Sequence, residues 1–196
     1  MLGPYLREIN QRGLILGSGS PRRAELCRLL GLEFNVLESG FAEDSDWSTY
    51  LSPEAYVLDY ARQKASRIQA DSRIVVTADT VVVHKGRVFE KASNSEEAAQ
   101  MLEQLSGDKH KVITGLVVKG KTLQEVCVTT CVTFDELSEE VIQSYLETEQ
   151  YKGKAGAYGI QDPAGATFVK EISGCYYNVM GLPLNALAKL LVAEVN

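Results

Sequence analysis

The chain has 196 residues, with 20 lysines and arginines against 26 aspartates and glutamates and a formal net charge of -6. This length favours a single domain with a sizeable core, and 45% apolar residues beside 23% charged residues exclude general disorder. The acidic balance argues against a nucleic-acid partner or an anionic membrane surface. No apolar window approaches the roughly 18 residues of a membrane span, so we expect no membrane partner.

The cysteines form no CxxC pair, and neither histidine lies within ligand spacing of another candidate metal ligand. We therefore expect reduced, buried thiols, a cytoplasmic protein and no structural zinc site. The first residues do not follow the pattern of a signal peptide, and we expect none. The four cysteines are Cys27, Cys127, Cys131 and Cys175.

The predicted elements begin with the apolar run Leu14–Leu16, which is typical of a short buried strand. Ser20 and Pro21 then predict the start of a helix that ends at Gly31. Further strands are predicted at 34–37, 73–77, 81–84, 87–89, 112–118, 123–134 and 168–172, and further helices at 52–68, 95–105, 138–149 and 184–195.

Strands and helices alternate at first, and long hairpin strands follow, with turns at Lys85-Gly86 and Lys119-Gly120. This order predicts an α/β fold with a mixed central sheet and flanking helices. The chain contains no repeat, linker or low-complexity tract. We therefore interpret residues 1–196 as one domain, in which residues 1–12 form an N-terminal extension.

The segment Ser18-Gly19-Ser20-Pro21-Arg22-Arg23 is the most informative one for function. A helix N-terminus carries about +0.5 charge, so arginines in its first turn oppose the helix dipole. Together with backbone N–H groups and the two serine hydroxyls, they favour a bound anion such as phosphate. The alternative is a solvated helix start whose arginines pair with surface carboxylates. The segment matches neither a Walker loop nor a dinucleotide fingerprint.

Asp79 follows an apolar strand, and we expect it at the strand end, outside the core. A carboxylate there can hold a divalent metal or orient a water for attack. A turn-capping role explains this segment about as well. Glu43 lies in the acidic run 43–46 and could supply a second metal carboxylate, although a surface loop is the simpler interpretation.

Two lysines and one glutamine complete the candidate residues. Lys64 follows the inward face of a predicted helix, and Lys91 follows a strand end, although each, taken alone, is more typical of a solvated surface lysine. Gln161 ends the glycine-rich stretch 153–161, which we interpret as a flexible loop that lets the backbone approach a ligand. The side-chain amide of Gln161 can donate and accept hydrogen bonds, which suits contact with the edge of a nucleotide base. The alternative is that the stretch only connects two elements.

Several short motifs occur in the order found in Maf (septum formation inhibitor) proteins, and the chain resembles that family over about residues 13–195. The motifs are Ser18-Gly19-Ser20-Pro21-Arg22-Arg23, Ala61-Arg62-Gln63-Lys64-Ala65, Ala78-Asp79-Thr80, Glu90-Lys91, Leu105-Ser106-Gly107, Thr114-Gly115 and Tyr158-Gly159-Ile160-Gln161. The resemblance implies a two-lobed mixed sheet around a cleft, similar to inosine triphosphate pyrophosphatases. It also implies a metal-dependent hydrolase that cleaves nucleoside triphosphates to monophosphate and pyrophosphate and so cleans the nucleotide pool.

The resemblance also implies a role for each candidate residue. Asp79 matches the catalytic proton acceptor, and a Mg²⁺ or Mn²⁺ ion is expected beside it. Arg22, Thr80 and Gln161 match positions that set base preference, and their identities are those of the branch acting on dTTP and UTP. Ala92 departs from the family, which usually has proline after the lysine. The other matching active-site polar groups are Ser18, Arg23, Glu43, Lys64 and Lys91.

Two other functions stay open at this point. One is a non-catalytic nucleotide- or nucleic-acid-binding regulator of cell division, which would use the phosphate segment without needing Asp79 or a metal. The other is the sister branch acting on 7-methylguanosine triphosphate, which Arg22 disfavours. The expected partner is a nucleoside triphosphate, and homodimerisation is left open.

Overall fold

A computed structural model describes residues 2–41 and 46–196. Within these residues the first elements are α1 (Leu6–Arg12), β1 (Leu14–Leu16), α2 (Pro21–Leu29), β2 (Phe34–Val36), α3 (Pro53–Arg67), β3 (Ile74–His84) and β4 (Arg87–Phe89). The later elements are α4 (Ser95–Leu105), β5 (Lys109–Lys119), β6 (Leu123–Phe134), α5 (Glu139–Glu147), α6 (Gly165–Phe168), β7 (Val169–Ser173), α7 (Tyr176–Val179) and α8 (Leu184–Val195).

The strands form one sheet in the order β2-β1-β3-β5-β6-β7, and β4 pairs with β3. β1 runs parallel to both β2 and β3, with Ile15 opposite Asn35 on one side and Val75 on the other. The β3–β4 and β6–β7 pairs are antiparallel. The predicted mixed α/β sheet is therefore confirmed, as is the hairpin at Lys85-Gly86.

The chain divides into two compact units. The first comprises the chain up to Asp79, Thr114–Val128 and Gly181–Asn196, and the second comprises Thr80–Ile113 and Thr129–Met180. In the first unit, Ile15 and Val75 on the strands pack against Ile68, which follows the last residue of α3. The second unit has a core of aromatic and aliphatic side chains from α4, α5 and the strands beside them.

The helix faces predicted from apolar spacing agree with the burial pattern. Along α4 the buried residues are Ala98, Met101, Leu102 and Leu105, and along α5 they are Ile142, Tyr145 and Leu146. Both helices begin with a side-chain cap, from Asn94 and Ser138 respectively. Among the described residues, no helix has the length and apolar character that crossing a membrane requires.

Asp79 and the cysteines do not lie where they were expected. Asp79 does not end a strand, because β3 continues through it to His84 and the residue is buried. Of the four free cysteines, only Cys27 is buried, and the other three are half-buried. The N-terminal segment contains α1, whose last residue, Arg12, forms an ion pair with the buried Glu194 at 2.7 Å.

Candidate active site

Close packing of α3 on β3 and β5 positions the central side chains of the first unit. Ala61 and Ala65 on α3 are fully buried, and the Thr77 hydroxyl on β3 donates to the Ala61 carbonyl over 2.7 Å. Gly115 on β5 lies so close to α3 that a Cβ there would fall 2.5 Å from the Val57 carbonyl carbon. These small groups bring the helix backbone down onto the sheet.

Lys64 and Asp79 meet at this helix–strand contact. Lys64 lies almost one turn beyond Ala61, and Asp79 lies two residues beyond Thr77 on the same strand face. The Lys64 Nζ donates to Asp79 Oδ1 over 2.6 Å, and the two residues are only 7% and 9% exposed. The ammonium also lies 5.9 Å from the ring centre of Tyr60. The sheet thus carries a buried carboxylate with a cationic partner, which can accept a proton or hold a cation.

The segment between β1 and α2 is organised by Ser18 and Arg23. Ser18 Oγ accepts from the Ser20 backbone N–H over 3.2 Å and from the Arg23 guanidinium over 3.1 Å. Arg23 also donates to the Gly181 carbonyl over 2.8 Å. Two of the predicted residues are therefore brought together, and the arginine is fixed in place by neutral acceptors.

The first turn of α2 differs from those of α3, α4 and α5. Each of those helices has a side chain that caps its N-terminus and at least one acidic residue in its first turn. In α2 the residue at the cap position is Ser20, as predicted, but its side chain makes no capping hydrogen bond. The turn has no acidic residue and carries Arg22 and Arg23. This arrangement favours a bound anion.

The other predicted residues lie in the second unit. Thr80 is half-buried in β3. The Lys91 backbone forms an isolated antiparallel bridge with Ala155, and the Gly156 N–H donates to the Glu90 carbonyl over 3.1 Å. The Lys91 side chain is exposed. These contacts attach the end of β4 to the glycine-rich stretch that precedes Gln161.

The glycine-rich stretch is packed, contrary to its prediction as a flexible loop. Lys154, Ala157, Tyr158 and Ile160 are all buried. Tyr158 donates or accepts a hydrogen bond with His110 Nε2 at 2.8 Å, and its burial raises the pKa of its hydroxyl. The buried aromatic and aliphatic side chains hold this segment in place despite the conformational freedom of its glycines.

Sequence reasoning missed two acidic residues near these segments. Asp162 is largely buried and pairs with the Lys154 ammonium. The Glu38 carboxylate lies beside Gly19, where an added Cβ would fall 2.3 Å from Glu38 Oε1. A lysine inside an otherwise apolar, glycine-rich run could have signalled the first contact, whereas no sequence pattern marks the second.

Within residues 2–41 and 46–196, no cluster of three or more His, Cys, Asp or Glu side chains is present that could hold a metal ion by itself. Glu43, predicted as a metal ligand, lies outside the described residues. Mg²⁺ is commonly held by one or two carboxylates together with substrate phosphates, and Asp79 meets that requirement. The residues present therefore fit a metal that arrives with a nucleotide.

Comparisons with known proteins agree with the motif-based resemblance. The family model described as Maf-like protein matches residues 13–194. A Clostridium perfringens protein named dTTP/UTP pyrophosphatase is 45% identical over 186 residues, which cover 91% of this chain and 95% of that protein. A Bacillus cereus protein of the same name is 42% identical and covers 93% and 90%.

Among solved structures, a HAM1 protein from Coxiella burnetii is 13% identical, with a TM-score of 0.46 over 92% of this chain and 98% of that one. The family model covers nearly the whole chain, and the relatives share more than four residues in ten with it over about nine-tenths of its length. The chain therefore belongs to the family of Maf-like proteins.

Proposed function

We propose that the chain is a nucleoside triphosphate pyrophosphatase that hydrolyses dTTP and UTP to the monophosphate and pyrophosphate. The buried Lys64–Asp79 pair carries the enzymatic part of this proposal, because a fold gains little stability from two buried charges. The choice of dTTP and UTP as substrates rests on the names of the relatives. Residues 1–196 are proposed to act as one functional domain.

The triphosphate is proposed to bind at the start of α2. There the backbone N–H groups of the first turn are not capped by a side chain, and Arg22 and Arg23 add positive charge. Charge-assisted bonds from guanidinium to phosphate are stronger than neutral ones. Ser18 and Ser20 supply hydroxyls to the same segment, and Ser18 holds Arg23 in position.

Asp79 is proposed to accept the proton of an attacking water. The water oxygen bonds to the α-phosphorus, the bond from that phosphorus to the bridging oxygen breaks, and pyrophosphate leaves with the bond electrons. Lys64 orients the carboxylate through its 2.6 Å contact and contributes positive charge beside it. Lys91, an exposed residue, is proposed as a further cation for the phosphates.

A divalent cation, Mg²⁺ or Mn²⁺, is proposed to bind through Asp79 and the phosphate oxygens, with Glu43 as a further ligand. When bound, it would neutralise charge on the phosphates. Base preference is assigned to Arg22, Thr80 and Gln161. We also propose that the protein is located in the cytoplasm, has a role in septum formation and forms a homodimer.

The bond cleaved can be tested by hydrolysing dTTP in H₂¹⁸O with Mg²⁺ and analysing the products by ³¹P NMR and mass spectrometry. We expect dTMP that carries the label, and unlabelled pyrophosphate. Addition of EDTA should stop the reaction, and Asp79→Asn serves as the background control. Formation of dTDP and orthophosphate, or label in the pyrophosphate, would overturn the assigned attack at the α-phosphorus.

A further inference from the structure

Asp162 lies at the end of a tight turn that begins at Gly159. Its backbone N–H donates to the Gly159 carbonyl over 3.0 Å, and its carbonyl accepts from the Ala166 N–H over 2.8 Å. An added Cβ at Gly159 would fall 2.3 Å from Asp162 Oδ2. The carboxylate therefore folds back beneath the turn that carries Gln161.

One oxygen of this carboxylate is held by buried partners. Oδ2 accepts from the Lys154 ammonium and, over 3.2 Å, from the Tyr145 hydroxyl. The Lys154 and Asp162 side chains are 9% and 13% exposed. The same Tyr145 hydroxyl accepts from the Gly159 N–H over 3.3 Å. The carboxylate is thus fixed in orientation, and its other oxygen faces Gln161.

The other oxygen, Oδ1, accepts from Gln161 Nε2 over 3.3 Å. Because a carboxylate only accepts hydrogen bonds, the amide nitrogen must face it, and the amide oxygen must point the other way. That oxygen, Gln161 Oε1, is shielded from solvent and has no hydrogen-bond partner in the part of the chain that the structure describes. A buried acceptor without a donor is unfavourable, and a ligand that supplies a donor would relieve that cost.

We propose that Asp162 is a positioning residue that holds Gln161 Oε1 toward the base, so that the site selects pyrimidines with a hydrogen on N3. Uracil and thymine carry this N–H donor, whereas N3 of cytosine is an acceptor. With Nε2 held by Asp162, the glutamine cannot turn its amide to suit cytosine. The inference rests on the proposed function, because it assumes that Gln161 contacts the base.

The test measures binding of UMP, CMP and 3-methyl-UMP by calorimetry, and kcat/KM for UTP and CTP. The wild type should bind UMP at least about 10-fold more tightly than either of the other two, since a site with a buried unpaired acceptor rejects a ligand that lacks the donor. In Asp162→Asn the new amide can accept or donate, so the Gln161 amide is free to flip. The preference for uridine over cytidine should fall by about 10-fold in binding and in kcat/KM.

Tyr145→Phe is the matched control, because it removes one bond to Oδ2 while the Lys154 ammonium still holds that oxygen and the Oδ1 contact stays in place. It should lower stability and leave the uridine preference intact. If Asp162→Asn does not fold, the double variant Lys154→Gln/Asp162→Asn removes the buried cation together with its partner. The double variant should show the same loss of preference.

An unchanged preference in a folded Asp162 variant would overturn the proposal, as would an equal loss in Tyr145→Phe or equal binding of UMP and 3-methyl-UMP by the wild type. Monophosphate binding separates this proposal from the proposed activity. A wild type that prefers UMP but turns over no triphosphate would contradict the enzymatic function and support the role of Asp162. Normal triphosphate turnover with no base preference would support the enzymatic function and contradict the role of Asp162.

Discussion

Lys64 on α3 donates to Asp79 on β3 over 2.6 Å, although the two residues are 15 positions apart in the sequence, and both are buried. Buried ion pairs of this kind roughly offset their own desolvation, so the pair contributes little to net stability. Breaking it is costly, because the surviving charge stays in the interior. Experiments on variants of this contact therefore have to measure stability and catalytic activity separately.

Asp79→Asn is expected to lower kcat by at least about 10²-fold, because the amide cannot take up the proton of the attacking water. The substitution keeps the size of the side chain and leaves an oxygen that can accept from Lys64, so the fold should be retained. The measurements are kcat for dTTP with Mg²⁺ and a thermal unfolding curve.

Asp79→Ala is the companion variant, in which the Lys64 ammonium loses its buried partner. It should be destabilised by about 3 kcal/mol relative to wild type and be equally inactive. Turnover near the wild-type value in either folded variant would remove Asp79 from the mechanism.

Lys64 and Lys119 form a matched pair for testing the role of the cation. Lys119 donates to the Ala65 and Ile68 carbonyls at the end of the same helix, over 3.2 and 3.3 Å. Lys64→Met should lower kcat/KM for dTTP by at least about 10-fold, because it removes positive charge beside the reacting phosphate. Lys119→Met should cost about 1 kcal/mol of stability and leave the kinetics unchanged.

Urea unfolding measures the stability of both variants, and steady-state kinetics measures their kcat/KM for dTTP. Equal losses of kcat/KM in the two variants would mean that Lys64 acts only by supporting α3. A folded Lys64→Met protein with full activity would show that Asp79 works without it.

The helices and the mixed sheet were predictable because apolar spacing, caps and turn residues agree along most of the chain. The position of Asp79 was not, because a charged residue that follows an apolar run is typical of a strand end, and its buried partner Lys64 lies 15 positions away in the sequence. The packing around Gln161 was missed for a similar reason. Its glycines indicate flexibility, whereas the stretch is held by the buried Tyr158 and by the Tyr145 hydroxyl, which accepts from the Gly159 N–H, and sequence spacing does not reveal these contacts.

His110 predicts a pH dependence of stability. Burial lowers the pKa of its imidazole to about 4 from the usual 6.5, with the charge of His84 acting in the same direction and that of Asp108 opposing it. Between these values the unfolded chain binds a proton that the folded protein does not, so stability falls as the pH drops from 6.5 toward 4. The loss between pH 7 and pH 5 should be about 2 kcal/mol.

Urea unfolding of wild type and His110→Gln at pH 7 and pH 5 measures this contribution. The variant is less stable at pH 7, because it loses the 2.8 Å contact with the Tyr158 hydroxyl, but its stability should vary less with pH. An identical pH dependence in the two proteins would show that other groups, and not His110, titrate in this range.

Gly115 offers a test of the packing that sets the Lys64–Asp79 distance. A Cβ there would fall 2.5 Å from the Val57 carbonyl carbon and oxygen and 2.7 Å from the Leu58 nitrogen, and backbone atoms cannot move aside as a side-chain end can. Gly115→Ala should therefore push α3 away from the sheet, costing about 2 kcal/mol of stability.

The same displacement should lower kcat/KM for dTTP by about 10-fold or more, because Lys64 is carried by the displaced helix and misplacement by an ångström weakens catalysis. Gly3→Ala is the control, since its added Cβ would have no described residue within 4 Å apart from its two chain neighbours, and it should change stability by less than about 0.5 kcal/mol. Unfolding and kinetics on both variants provide the comparison. A Gly115→Ala protein with wild-type stability and activity would mean that the helix has room to adjust, and the link between close packing and the ion pair would be lost.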